Sequence, residues 1–358
     1  MIAEQAEILD AFSCDKSDTL RPLGQGHINA TYLVDSNPHP IVLQRLSEDV
    51  FPYPAAVIGN FEVIFKYLQG VELSRRRGFV MAQPVYTKNG DLFFKDSKGG
   101  YWRGQHYVET TTITKLSSVA QAESVGRALG RFHLLFEKLD LGKIGDPLPG
   151  FHHLLLYLKD YDHCVAQLTG ETDESIRSCL HTIEKYRERA SSIERAREHK
   201  ELVLQPIHGD PKLDNFIFNQ AGEATGLLDL DTVGAGIIYH DLGDCLRSAC
   251  CTCQESSVDD DEPRFDLNLC EGILEGYFSC GKVTVTHVQP HYIYDGLLAI
   301  CFELGVRFFT DHLQGNRYFR VAVDGENLQR AQNQLALCRN IVSQESAIRK
   351  RMDGAYRT

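Results

Sequence analysis

No run of eighteen apolar residues occurs in the 358-residue chain, so a transmembrane helix is not expected. The N-terminus, MIAEQAEILDAFSCDKSD, lacks a basic region ahead of an apolar core and carries acids early, so a secretory leader is not expected either. Without export, the eleven cysteines are expected as reduced thiols in a cytoplasm. A single C-x-x-C lies in Cys250-Cys251-Thr252-Cys253, with Cys245 nearby, on what reads as the continuation of a helix. No second pair matches it, which argues against zinc and redox chemistry and for buried thiols. Bases are in deficit: 37 Lys and Arg face 49 Asp and Glu, and the net charge of −12 disfavours nucleic acid and anionic membrane as partners. A nucleotide stays possible, because a phosphate site needs only a few local donors. Internal repeats and low-complexity tracts are absent. The acidic run SSVDDDEP (256–263) and the basic cluster Arg75-Arg76-Arg77 read as solvated connections. What remains is 43% hydrophobic and 24% charged, ordinary globular composition, and long enough for two or three structural units around an ample core.

The chain changes texture near residue 110. Residues 4–13 fit one amphipathic helix, and strands are expected at 20–23, 30–35 and 41–46. Residues 55–69 place Val57, Phe61, Ile64, Phe65 and Leu68 at helical spacing. Short strands follow at 81–87, 91–95 and 101–108, with KNGD and DSKGG as turns. Helical patterns then occupy 119–139, 150–168, 174–198, 241–253, 266–280, 288–313 and 326–349. This order predicts an α+β, bilobal chain, with a small β-rich lobe carrying one helix (residues 1–108) and a larger helical lobe (109–358).

One stretch of the larger lobe breaks the helical pattern: IHGDPKLDNFIFNQAGEATGLLDLD, residues 207–231. The alternative is a surface hairpin with two chance acids. However, D-x-K-x-x-N followed by an apolar–turn–apolar stretch ending in Asp is the part list of kinase-type phosphoryl transfer. Asp210 is the candidate general base for an acceptor hydroxyl. Lys212 is placed to neutralise charge on the transferred γ-phosphoryl group. Asn215 and Asp229 supply oxygens to Mg²⁺, a hard ion. Asp231 is either a further metal ligand or a fixer of the loop. His208 reads as a brace for the loop, and Asp241 as a helix cap that buttresses it.

In the small lobe, Gly24 and Gly26 sit in a turn between two strands, where backbone N–H groups can approach a phosphate. His27 and Asn29 follow, within reach of a substrate or as turn stabilisers. The strand at 41–46 is where such a fold carries its phosphate-pairing cation. It has no lysine; Arg45 is its cation and Gln44 the neighbour. Alternation sends the two to opposite faces and leaves open which meets the nucleotide. Glu62 is the candidate helix partner, or else a surface acid. The backbone of Tyr107, Val108 and Glu109, at the lobe junction, is expected to bond adenine. In the late helical segment 301–319, Glu303, Arg307 and Asp311 fall one turn apart, which fits a polar pocket wall or a structural salt bridge equally.

HGDPKLDN followed by LLDLD resembles the aminoglycoside phosphotransferase/choline kinase superfamily, which shares the protein-kinase-like fold. GQGHINATYLV, VLQRLSEDVFP, YWRGQHYVETT, LDLDTVGAGIIYHDLGDCLR and ELGVRFFTDHLQGNRYF further resemble segments of bacterial N-acetylhexosamine 1-kinases, over most of residues 20–340. Those enzymes also carry glutamine where other kinases have the strand lysine. The resemblance implies Asp210 as base, Asn215 and Asp229 as metal ligands, and Arg307 and Tyr318 as sugar contacts. It implies ATP and Mg²⁺ as cofactors and a small-molecule hydroxyl acceptor, a hexose phosphorylated at its anomeric position. HGD and LDN replace a more asparagine-rich loop of that family, and the cysteine-rich helix is this chain's own, so the sugar stays open. The rivals are kinases acting on homoserine, choline or an aminoglycoside, and a catalytically inactive nucleotide-binding protein.

Overall fold

The structure is a computed structural model that describes residues 2–15, 18–23, 28–35, 39–253, 262–280 and 288–357. Gly24, Gly26, His27 and most of the acidic run lie outside the described residues. The small lobe is built on a sheet of order β1-β2-β3-β7-β5, with β6 also paired to β7. Its strands are β1 (Arg21–Pro22), β2 (Ala30–Val34), β3 (Ile41–Arg45), β5 (Pro84–Val85), β6 (Phe94–Lys95) and β7 (Tyr101–His106), all antiparallel to their neighbours.

Helices cover both faces of this sheet. Helix α1 (Ile2–Ala11) and the turn after it pack Ile8, Leu9 and Phe12 on Ile41, Leu43 and Trp102. Helix α2 (Pro54–Gly70) starts with proline inside its first turn, where the missing N–H costs nothing. It buries Val57, Ile58, Phe61, Ile64 and Leu68. Phe61, Ile64 and Leu68 belong to the large lobe's core, so α2 is shared between the lobes. Because side chains alternate along a strand, Ile41, Leu43 and Arg45 of β3 go to the α1 face, while Val42 and Gln44 go to the α2 face.

One expected strand divides. The run at 81–87 is two short strands in different sheets: β4 (Val80–Met81) and β5. Strand β4 pairs in parallel with β10 (Ala224–Leu227), which is antiparallel to β9 (Phe216–Phe218). Gly226 makes this cross-lobe pairing possible, since a Cβ there would sit 1.7 Å from the Val80 carbonyl oxygen. The basic cluster at 75–77 overlaps a one-turn helix, α3 (Leu73–Arg76).

The large lobe follows the predicted order, with breaks that periodicity did not reveal. It comprises α4 (Val119–Phe136), α5 (Leu154–Val165), α6 (Glu174–Ala190), α7 (Ser192–Glu198), α8 (Ile238–Ala249), α9 (Leu267–Phe278), α10 (Pro290–Leu313), α11 (Glu326–Ser343) and α12 (Glu345–Arg357). The helix expected over 174–198 breaks at Ser191, whose hydroxyl donates to the Arg187 carbonyl. Helix α8 stops at Ala249 instead of running to Cys253; Thr252 then pairs with Arg264 through the backbone. Cys245 and Cys250 are buried free thiols, pushed up in pKa first by burial, while Cys251 and Cys253 are half-buried. A two-stranded ribbon, β8 (Leu204–Ile207) with β11 (Gly234–Ile237), supports the central stretch. Among the described residues no helix is long and apolar enough to cross a membrane.

Candidate active site

Strand β8 delivers the chain to the cleft floor. His208 is fully buried, and Gly209 has φ of 87°. A Cβ at Gly209 would lie 2.6 Å from the Thr232 carbonyl oxygen, so only glycine fits. Asp241 fastens this turn. Its carboxylate accepts from the backbone N–H of His208 (2.7 Å) and Gly209 (2.8 Å), and bonds the His133 imidazole at 2.9 Å. Burial alone would raise its pKa, but the His133 bond and the loop contacts hold it below the usual carboxylate range. It lies in the first turn of α8 and does not cap it. Neutral by burial, His208 donates from Nε2 to the Leu228 carbonyl (2.8 Å), which fixes the loop to the end of β10.

Asp210 and Asn215 face each other across this loop. The Asn215 amide donates to the Asp210 carbonyl (2.7 Å) and to its Oδ2 (3.0 Å), and Lys212 Nζ lies 3.2 Å from that same oxygen. Asp229 has φ of 56°, a left-handed conformation that a short polar side chain tolerates best. Its side chain opens into the cleft, though protein surrounds it on the other sides. Desolvation, then the charges of Asp231 and Asp210, raise its pKa to about 7, against the opposing pull of Lys212 and Arg103. Carboxylates crowded until one gives up its charge form a setting that a divalent cation would relieve. Among the described residues no three His, Cys, Asp or Glu side chains form a closed metal cluster. The Asn215 amide oxygen and the Asp229 carboxylate nevertheless match the one or two protein oxygens that Mg²⁺ takes when phosphates complete its shell.

Above this floor, β3 separates Arg45 from Gln44. Its side chain goes to the α1 face, half exposed, with Nε 3.8 Å from the buried Asp96 carboxylate. Gln44 faces the cleft instead, and its Oε1 accepts from Nε (3.1 Å) and Nη2 (2.8 Å) of Arg103 on β7. Arg103 is 2% exposed, lies over the Phe61 ring at 5.6 Å, and forms an ion pair with Asp231. Asp231 also accepts from Asn29 Nδ2 at 2.6 Å. Asp231 thus ties the lobes together, the loop-fixing role among the two it was expected to fill. Glu62 does not meet the β3 cation; it pairs with Lys66 (2.6 Å) and Tyr86 (3.1 Å). Sequence reasoning missed Arg103. Its sole signal was its place on the strand beside the lysine-free β3.

At the junction, the Tyr107 N–H donates to the Pro40 carbonyl at 3.0 Å, and the Thr110 hydroxyl accepts from the Phe218 N–H at 2.9 Å. Tyr107 and Glu109 are exposed and Val108 is half-buried against the main core.

The far wall comes from α10. The Arg307 guanidinium lies within 5.0–5.4 Å of the ring centres of Phe151, Tyr157, Tyr318 and Phe319. It reaches the Tyr318 hydroxyl at 3.3 Å and Glu303 at 3.7 Å. Asp311 builds this wall: its carboxylate accepts from the backbone N–H of Arg317, Tyr318 and Phe319 and from Asn327 Nδ2, all at 2.8–2.9 Å. That carboxylate folds the chain after α10 back so that Tyr318 meets Arg307. Glu303 also bonds His152 Nδ1 (3.0 Å), whose Nε2 donates to the Gly209 carbonyl (2.7 Å). Burial opposes protonation of His152, yet Glu303 and that carbonyl hold its pKa above the usual value. The wall is therefore wired to the turn at Gly209, through the Glu303–His152 bond.

Comparison with solved structures finds the same fold. A microcompartment-associated aminopropanol kinase superposes with a TM-score of 0.63 at 16% identity, covering 97% of this chain and 98% of that one. Choline kinase from Cryptosporidium parvum Iowa II gives 0.61 at 13% identity, with 98% and 96% covered. The GDP complex of aminoglycoside 2'-phosphotransferase-IIIa gives 0.55 at 17% identity, with 89% and 92% covered. At these identities the likeness is one of fold. The sequence match is more specific: residues 19–278, well over half of the chain, match the phosphotransferase enzyme family, and the chain belongs to that family.

Proposed function

We propose that this phosphotransferase uses ATP and Mg²⁺ to phosphorylate a neutral hexose, at the anomeric hydroxyl of an N-acetylhexosamine or a related sugar. The observation that carries the acceptor class is the wall around Arg307. A guanidinium set among four aromatic rings repels an amine and offers N–H donors and ring faces to a sugar. The aminopropanol, choline and aminoglycoside acceptors named for the structural neighbours all carry amino or quaternary ammonium groups, and this wall is unsuited to them.

The chemistry follows from the loop. Asp210 orients the acceptor hydroxyl and takes its proton as the phosphoryl group transfers. Lys212, beside it, offsets the charge that develops on that group. Asn215 and Asp229 would hold Mg²⁺, which supplies charge neutralisation at the phosphates. Asp241 and His208 keep the turn rigid, so the base stays within hydrogen-bond reach. The test is ADP release from ATP and Mg²⁺ across a panel of N-acetylglucosamine, N-acetylgalactosamine, free hexoses, glucosamine, choline and homoserine, with product linkage assigned by NMR. Turnover on the neutral sugars with a 1-phosphate product is expected. Turnover confined to the amines would overturn the acceptor assignment, and silence across the panel would overturn the activity.

A further inference from the structure

The lysine-free β3 leaves the nucleotide phosphates without the cation that kinase-type folds place on that strand. We infer that Arg103, on the adjacent strand β7, supplies that cation and contacts the nucleotide phosphates directly; this rests on the ATP-dependent activity proposed above. Thr31, Gln44 and Arg103 form a single rung of the sheet, paired across β2, β3 and β7. The Thr31 hydroxyl accepts from Gln44 Nε2 at 3.1 Å, which turns the Gln44 carbonyl oxygen towards Arg103. Gln44 then receives two guanidinium N–H bonds, and the Phe61 ring backs the group. The rung thus holds an arginine over the strand position that would otherwise bear lysine, one strand spacing of about 4.8 Å away.

Glu62, the expected counterion, is engaged elsewhere, and Asp231 takes its place from the opposite lobe. Asp231 lies two residues beyond Asp229, so Arg103 stands next to the candidate metal segment, close enough for its charge to act on Asp229. Among the described residues the contacts of Arg103 use Nε and Nη2. A guanidinium carries five N–H donors, so its Nη1 edge serves a phosphate oxygen.

Calorimetric titration of the full chain with ADP, with and without Mg²⁺, and with adenosine tests this. Arg103→Met is expected to weaken ADP about tenfold or more, the scale of one charge-assisted contact, both with and without Mg²⁺. Adenosine affinity is expected to stay within about twofold, because adenosine carries no phosphate for the guanidinium to meet. Unchanged ADP affinity would overturn the inference. So would a loss seen only with Mg²⁺, which would mean that Arg103 acts through the metal segment, or a parallel loss for adenosine, which would mean a structural role. An Arg103→Met protein that fails to fold is replaced by Arg103→Lys, which keeps the charge without the planar fork and is judged by the same ADP-to-adenosine ratio. A wild type that binds no ADP would refute the kinase proposal itself, a result distinct from all of these.

Discussion

Among the described residues Asp210 shares one oxygen with Asn215 and Lys212, which under the proposed mechanism leaves its other oxygen for an acceptor hydroxyl. Asp210→Asn should lower kcat by about 10²–10⁴-fold, the usual share of a positioned general base, while ADP binding by thermal shift stays intact. Retained turnover would remove Asp210 from the mechanism. Asp229 makes a second prediction at this scale. With a pKa raised to about 7, it is largely protonated below neutrality, and a metal needs the ionised form. The Mg²⁺-induced rise in Tm should therefore be larger at pH 8 than at pH 6, and Asp229→Asn should flatten that difference. The sign follows from linkage: a carboxyl pKa raised in the fold makes the ionised side chain a burden above pH 7, which bound Mg²⁺ removes. A rise that is independent of pH would contradict it. Asp210, Asn215 and Asp229 could be put forward as candidates from the sequence because their spacing lies along one hairpin. The partners of Asp231 were not, because Asn29 and Arg103 lie on other elements.

Two elements set the geometry of the far wall. Helices α8 and α10 cross at Gly243 and Gly296, where a Cβ on Gly296 would sit 2.3 Å from the Tyr239 carbonyl oxygen. This contact places Asp241 and Asp244 of α8 against the helix that bears Glu303 and Arg307. Gly296→Ala should destabilise the protein by about 1–3 kcal/mol through overpacking, read as a lower midpoint in urea at unchanged slope. An unaltered midpoint would show that the crossing has slack. The segment after α10 depends on Asp311, which is 3% exposed and satisfies three backbone donors. Asp311→Ala strands those donors and should cost about 2–4 kcal/mol while raising the acceptor KM more than the ATP KM. Equal rises would mean that the loop does not serve the acceptor. Stripe spacing predicted that Glu303, Arg307 and Asp311 share a helix face. It did not reveal that Asp311 leaves the ion-pair row to cap a returning loop, since that depends on residues six to eight positions later.

Across the whole molecule, the lobes are joined by more than a linker. Strand β4 pairs with β10, and Phe61, Ile64 and Leu68 of α2 lie in the main core. Asn60, 2% exposed, bonds the carbonyls of Gly145 and Val233 and the N–H of Gly145. Tyr318 and Leu148 pack with Leu46, Val50 and Phe51 from the β3–α2 connection, which brings the wall around Arg307 against the small lobe. The two lobes should therefore unfold in one calorimetric transition, with van't Hoff and calorimetric enthalpies in agreement. Two resolved transitions would show that these contacts do not couple the lobes.

By itself the sequence determined the α+β order and most of the helix periods, because these depend on residues near one another along the chain, and it marked the candidate hairpin, whose parts lie within some twenty-five consecutive residues. The tertiary structure alone decided which faces of the sheet Gln44 and Arg45 take. In Ile41-Val42-Leu43 all three residues are apolar, and all are buried between α1 and α2, so the alternation that would have sorted Gln44 from Arg45 was hidden. Only the register of β3 against β7 shows Gln44 opposite Arg103, and only the closure of the lobes brings Asp231 to that arginine. Contacts between residues more than a hundred positions apart depend on how elements pack, and spacing along a chain does not encode that.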